Sequence, residues 1–288
     1  MSKNVTRDPA SSIYRLRGIS FALTILMNTM DTLATPVLGV IGTGHLASYT
    51  IAALMKSGHQ GEILLSPRNA QVVADLSSRF GCRVMSDNAS VVANADIILL
   101  SVRPDDALDA LGELKLAADQ ILMSAVAGLL VKELEEAAAP ATVVRIMPSS
   151  FIEHGEPFIP MFPENAAVTR LFGEQCPVVV FDSEPAFDDS MIASCSYAWT
   201  FGLFQTLEQW FVEQGWSAEL SREMVLRHLQ GAVDVARSRP EVSPQTLLGE
   251  IATPGTFTRA GYEALYAAGG NQDWIAGLEK VKSMREEN

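Results

Sequence analysis

The sequence predicts an α/β domain built on a parallel sheet, followed by an all-helical domain. Three observations carry this expectation. From residue 37 to about 165, short branched apolar runs alternate with stretches of helical period. The first run ends in IGTGHLA (41–47), small residues spaced G-x-G-x-x-A at a seam between strand and helix patterns. After Phe187 the remaining stretches all read as helices.

The runs VLGVI (37–41), EILLS (62–66), DIILLSV (96–102), QILMSAV (120–126) and TVVRIM (142–147) are nearly continuous in hydrophobicity. Strands covered on both faces have that character. PVVVF (177–181) reads as one more. Between the strands lie TGHLASYTIAALMKSG, NAQVVADLSSRFG, DDALDALGELK and LVKELEEAA, each at helical spacing. Such alternation means βαβ units, hence parallel strands with helices on both faces.

The C-terminal half begins with MIASCSYAWTFGLFQTLEQWFVEQG and continues through SREMVLRHLQGAVDVARS, PQTLLGEIA, RAGYEALYAAGG and DWIAGLEKVKSMREE. Ser243 and Pro244 form an N-cap and first-turn pair. The aromatic series Trp199, Phe201, Phe204, Trp210 and Phe211 is too apolar for an isolated surface helix, so it packs in a helical core or a dimer interface. The expected organisation is a leader over 1–36, a nucleotide-binding domain over 37–185 and a helical dimerisation domain over 186–288.

The leader carries Lys3, Arg7, Arg15 and Arg17 ahead of ISFALTILM, an outline like a targeting segment. The apolar run is too short to span a bilayer, and no A-x-A cleavage site follows. With Met27 and Met30 just ahead of the first strand, it is read as disordered or the product of an over-extended start.

The glycine run has a mechanical reading. Gly42 turns the chain out of the first strand where a Cβ would obstruct it. Gly44 lets backbone approach a pyrophosphate, and Ala47 lets the following helix pack close to the sheet. That helix aims its free N–H groups and positive dipole end at the anion. Strand before and helix after supply the context of a Rossmann-type dinucleotide site. At the end of the second strand stands LLSPRNA (64–70), with no acid to hold a ribose 2′-hydroxyl. Ser66 and Arg68 suit a 2′-phosphate instead, so NADP(H) is expected, with NAD(H) the alternative.

Composition narrows the partners. A formal charge of −13 over 288 residues opposes nucleic-acid binding. The 3 cysteines are odd in number, dispersed and without CxxC, which signals neither a disulfide framework nor a metal site and fits a reducing, cytoplasmic setting. No membrane partner is expected.

Five stretches, IGTGHLA (41–47), SDNASVVANADIILLSVRP (86–104), SAVAGLL (124–130), VVRIMPSS (143–150) and ATPGTFTRAGYEAL (252–265), together resemble the pyrroline-5-carboxylate reductase family in its order. The last looks like the family's SPGGTT-x-x-G signature. The resemblance implies reduction of a cyclic imine acid to proline with NAD(P)H, by a homodimer or higher homo-oligomer. It puts Gly42, Gly44, His45, Leu46 and Ala47 at the pyrophosphate and Ser66 and Arg68 at the adenosine phosphate. Asn88, Val102, Arg103 and Pro104 would lie along the cofactor, with Arg103 where relatives mostly have Lys. Ala127 and Gly128 would border the nicotinamide, with Met147 and Pro148 close by on the substrate side. Gly255, Thr256 and Thr258 would hold the substrate carboxylate, and Thr258 is the one candidate near the reacting nitrogen.

That elbow also has a case independent of the family. Pro254 and Gly255 break the chain before a helix, so the N–H groups of 256–258 would form an anion cradle. Two departures bear on the substrate. ASCSYAWTF (193–201) stands where relatives carry an SGSGPAY-like segment, with Trp199 in the tyrosine's place, and MPSS replaces the usual MPNT. These leave open a related imine, or an NADP-binding sensor that has lost catalysis. A β-hydroxyacid dehydrogenase is disfavoured because no lysine occurs between Lys132 and Lys280 to serve as its catalytic lysine.

Overall fold

The computed structural model describes residues 35–154 and 158–286; all but the last two residues of the expected leader lie outside them. Two compact units divide between Met191 and Ile192.

The first unit is built on strands β1 (Leu38–Ile41), β2 (Ile63–Leu65), β3 (Arg83–Val84), β4 (Ile97–Leu100), β5 (Ile121–Ser124), β6 (Thr142–Ile146), β7 (Ile159–Phe162) and β8 (Val178–Val180). They form one sheet in the order β3-β2-β1-β4-β5-β6-β7-β8. Every pairing is parallel except β6 with β7. The sequence expectation of a parallel sheet therefore holds except at this junction. Among the described residues between β6 and β7 there is a 3₁₀ turn over Ser150–Glu153 and no α-helix to carry the chain across a face, in keeping with the antiparallel return of β7.

Helices α1 (His45–Lys56), α2 (Ala70–Phe80), α3 (Asn88–Val92), α4 (Pro104–Gly112), α5 (Val131–Ala138) and α6 (Ala166–Phe172) cover the sheet. The two-residue period of the strands decides which face each side chain joins. Leu38, Val40, Leu65, Leu99, Met123 and Val144 pack with Ala47, Ile51 and Leu54 of α1 and with residues of α2 and α6. Ile41, Ile98, Leu100, Leu122 and Val143 pack with α3, α4 and α5 through Val91, Ala107, Leu111 and Leu134. Both faces are sealed, which is why these strands tolerate almost no polar residue.

A buried charge nevertheless stands in β6: Arg145, whose side chain is 2% exposed. Its guanidinium pairs with Glu184 at 2.6 Å and Asp188 at 2.8 Å and lies 4.8 Å from the Phe187 ring centroid. Those three residues are one face of the first turns of α7 (Glu184–Glu213), a 30-residue helix.

The second unit contains the remainder of α7 with α8 (Ala218–Ser238), α9 (Pro244–Ile251), α10 (Phe257–Ala267) and α11 (Gln272–Glu286). Ser217 and Ser243 cap α8 and α9, Ser243 with Pro244 following as the sequence indicates. Among the described residues no helix is long and apolar enough to cross a membrane.

Candidate functional site

The strand order reverses direction at β1, between β2 on one side and β4 on the other. In such sheets the crevice outside the carboxyl ends of the strands at that point receives a ligand. The turn after β1 is held there from both sides. The Gly42 N–H donates to Ser66 Oγ at 3.2 Å, beyond the end of β2. The Ser101 hydroxyl, beyond the end of β4, donates to the Gly42 carbonyl at 2.7 Å. Thr43 Oγ1 donates to the Ser66 carbonyl at 3.0 Å, so the Ser66 hydroxyl gives its own proton to Thr43 Oγ1, 3.1 Å away. The three hydroxyls of this cluster are all matched as donors.

Gly42 has φ +88°, and a Cβ there would lie 2.7 Å from the Ser101 backbone and from Val102 Cγ1. Gly44 differs: φ is −110°, and a Cβ would meet nothing within 4 Å. No side chain caps α1, whose first turn is His45, Leu46 and Ala47. Its leading N–H groups have no side-chain acceptor and lie at the positive end of the helix dipole. These residues fit a pyrophosphate: donors are aimed outward and the facing backbone carries no side chain.

The same edge gathers the other residues the sequence singled out in this unit. Arg68 is exposed in the turn after β2. Asn88 opens α3 and is half-buried. Val102, Arg103 and Pro104 follow β4, Arg103 as N-cap and Pro104 as first residue of α4. Ala127 and Gly128 follow β5, Gly128 with φ +85° and open space where a Cβ would sit. Met147 and Pro148 follow β6, half-buried and buried.

Ser66 requires a correction. The sequence reading set its hydroxyl toward the adenosine phosphate, yet the residue is fully buried and its hydroxyl is engaged by Gly42 and Thr43. It braces the turn, and Arg68 alone of the pair is exposed. Thr43 and Ser101, the other braces, were not singled out; the signal for them was a hydroxyl residue within or directly beside each strand end. Arg145 was likewise missed, although an arginine inside the apolar run TVVRIM demands partners.

Gly255, Thr256 and Thr258 belong to the second unit. Gly255 has φ +83° and turns the chain into α10. Thr256 is the N-cap: its hydroxyl accepts the Arg259 N–H at 3.2 Å and donates to the Thr253 carbonyl at 2.7 Å. Its own N–H also goes to Thr253. The expected cradle of 256–258 therefore narrows to the N–H groups of Phe257 and Thr258 and the exposed Thr258 hydroxyl.

Trp199 packs in the helical unit, as its place in the aromatic series suggested. Its indole meets Trp274 edge-on at 6.0 Å and sits over Gly277, where an added Cβ would be 3.0 Å away. It is a packing residue joining α7 to α11. Lacking the glycines and proline of an SGSGPAY-like segment, α7 runs without interruption.

Residues 37–128 match the family described as NADP oxidoreductase coenzyme F420-dependent, and residues 188–287 match pyrroline-5-carboxylate reductase dimerisation. The pyrroline-5-carboxylate reductase of Pseudomonas aeruginosa is 28% identical over 253 residues, 82% of this chain and 91% of that protein. Among solved structures, the 1-pyrroline-5-carboxylate reductase of Streptococcus pyogenes superposes with a TM-score of 0.78 at 19% identity, covering 88% of this chain and 99% of that one. The Plasmodium falciparum pyrroline carboxylate reductase, solved with NADP bound, gives 0.76 at 22% identity, with 88% and 97% covered. At those identities the two structures speak for the fold alone.

The glycine turn at the switch point, the open helix end and the matched N-terminal segment define an NAD(P)H-dependent oxidoreductase. The matched segments together span two thirds of the sequence, and the curated relatives are aligned over most of their own length. Over most of its length the chain is similar to pyrroline-5-carboxylate reductases, and its helical half matches their dimerisation region.

Proposed function

We propose that this protein reduces 1-pyrroline-5-carboxylate to L-proline with NADPH. The observation that carries this reading is the TPGTFT elbow, an uncapped pair of N–H groups and a free hydroxyl in the stretch that resembles the family signature. An α-carboxylate is the anion such a cradle suits.

When bound, the reduced nicotinamide supplies a hydride from C4 to the C=N carbon. The chain's own contribution is binding and alignment. The first turn of α1 neutralises the pyrophosphate, Arg68 pairs with the 2′-phosphate, and the loops at 102–104 and 127–128 line the crevice. Phe257 and Thr258 hold the substrate carboxylate, and the Thr258 hydroxyl stands by the ring nitrogen. A protonated cyclic imine accepts hydride readily, so no strong acid–base pair is called for.

A homo-oligomer supports this reading. In the second unit Phe257 is 99% exposed and Ile251, Leu265, Tyr266 and Trp210 are all exposed, more apolar surface than a monomer usually leaves open. The buried free thiols of Cys82 and Cys176 are in keeping with a cytoplasmic location.

The test compares NADPH oxidation on 1-pyrroline-5-carboxylate with that on its six-membered homologue, alongside direct NADPH affinity. Preference for the five-membered ring supports the assignment. A reversed preference favours a related imine, the reading motivated by Ser149 and the altered α7 segment. Tight NADPH binding with no turnover of either favours the sensor.

A further inference from the structure

We propose that Glu184 is a positioning residue for the loop bordering the nicotinamide, a role that rests on the function proposed above. One carboxylate oxygen, Oε1, accepts the Val131 N–H at 2.7 Å and the Arg145 Nη1 proton at 2.6 Å. Val131 is the first residue of α5, three residues beyond Gly128. Leu130, the N-cap, has no polar side chain with which to cap, and its own N–H goes to Glu133 at 2.8 Å. The helix end that closes the 127–130 loop is therefore capped from outside, by a residue 53 positions along the chain.

The carboxylate does not wander. Arg145 is rooted in β6, its second nitrogen is held by Asp188, and Phe187 is fully buried against the guanidinium. The arginine balances one of the two acids, and the positive end of α5 faces the other's shared oxygen. Strand β6 leads directly to Met147 and Pro148, while Val131 anchors the loop after β5. Glu184 thus ties together the two strand ends assigned to the nicotinamide and the substrate. A loop whose left-handed Gly128 leaves it free to pivot gains a fixed far end, which keeps the ring's approach uniform.

The neighbouring Asp188 supplies the control. Asp188→Asn weakens the same ion pair without touching Val131. Glu184→Ala removes the Val131 acceptor as well, and Glu184→Gln restores an acceptor oxygen without the charge. Val131→Pro deletes the N–H itself at a first-turn position where proline is tolerated, after a residue already at φ −79° and ψ 155°.

Hydrogen exchange over 127–130 and steady-state kinetics read the result. Glu184→Ala and Val131→Pro are expected to speed exchange there and to lower kcat about tenfold or more, with NADPH affinity changed less than about threefold. Asp188→Asn should lower the melting temperature yet spare both, and Glu184→Gln should recover most of the loop's protection. Equal loop exchange in Asp188→Asn and Glu184→Ala, or unaltered exchange in Val131→Pro, overturns the role. Should Glu184→Ala fail to fold, Val131→Pro decides alone. Exchange needs no substrate, so failure of imine turnover in the wild type refutes the function without disguising the outcome here.

Discussion

Ser66 Oγ accepts the Gly42 N–H at 3.2 Å, so the residue after β2 holds the turn after β1 in place. Two polar side chains of the SPR segment part company: the Ser66 hydroxyl turns inward onto Gly42 and Thr43, and Arg68 is exposed, where the proposed function sets it at a 2′-phosphate. Removing the hydroxyl by Ser66→Ala leaves the half-buried Gly42 N–H unmatched and costs about 1 kcal/mol. Because the proposed pyrophosphate site at this turn would be common to both nucleotides, NADPH and NADH affinity should fall by similar factors. Arg68→Ala should weaken NADPH about ten- to a hundredfold and leave NADH nearly unchanged, since a charge-assisted contact to one phosphate is lost. Fluorescence titration with both nucleotides separates the two outcomes.

The two glycines of the turn are expected to fail in opposite ways. Gly42→Ala puts a Cβ 2.7 Å from the Ser101 carbonyl group in a left-handed conformation. Backbone on both sides must shift, costing about 3 kcal/mol or more, and folding itself should suffer. Gly44→Ala meets empty space in an ordinary backbone region, so thermal stability should change by no more than about 1 kcal/mol. If that space receives the pyrophosphate, as proposed, nucleotide affinity should drop sharply. Melting curves with and without NADPH read both effects.

Much of this architecture was legible in the sequence, because buried parallel strands and amphipathic helices leave strong periodic marks. The omissions have local causes. β7 (IPMF) carries Pro160 in its middle, a residue that argues against a strand; it pairs through its carbonyl, which accepts the Met147 N–H just beyond the last residue of β6. β3 is a pair of exposed residues with no apolar pattern at all. α7 begins at Glu184, several residues before the aromatic run suggested, although the Ser183 hydroxyl reaching the Ala186 N–H was a readable start signal. The glycine turn was legible as a motif. What could not be read was the direction of a hydroxyl: whether Ser66 faces a ligand or its neighbour depends on where β1 ends, a tertiary fact.

At the elbow, two threonines two residues apart are expected to part company. Thr256 caps α10, so Thr256→Ala should lower stability by about 1 kcal/mol through loss of the Arg259 bond. Thr258 is exposed at the second helical position, with its hydroxyl directed at no partner among the described residues. Thr258→Ala should leave the melting temperature and NADPH affinity near wild type while raising KM for the imine. Equal loss of nucleotide and imine affinity in this variant would contradict the carboxylate site.

His59 sets a pH dependence remote from the chemistry. It follows α1, is 6% exposed, and its Nε2 has no hydrogen-bond partner. Burial disfavours the charged ring and holds its pKa below the ordinary 6.5. The unfolded chain therefore takes up a proton, near its ordinary value, that the folded chain refuses. Above that value both states are neutral and His59 contributes no pH dependence; as pH falls through 6.5 toward the lowered folded value, stability declines. Denaturant unfolding between about pH 7.5 and pH 5.5, a range above most carboxylate titration, should show this decline. His59→Gln, neutral throughout, should flatten the profile there. An unchanged slope in that variant would assign the acid sensitivity to other groups.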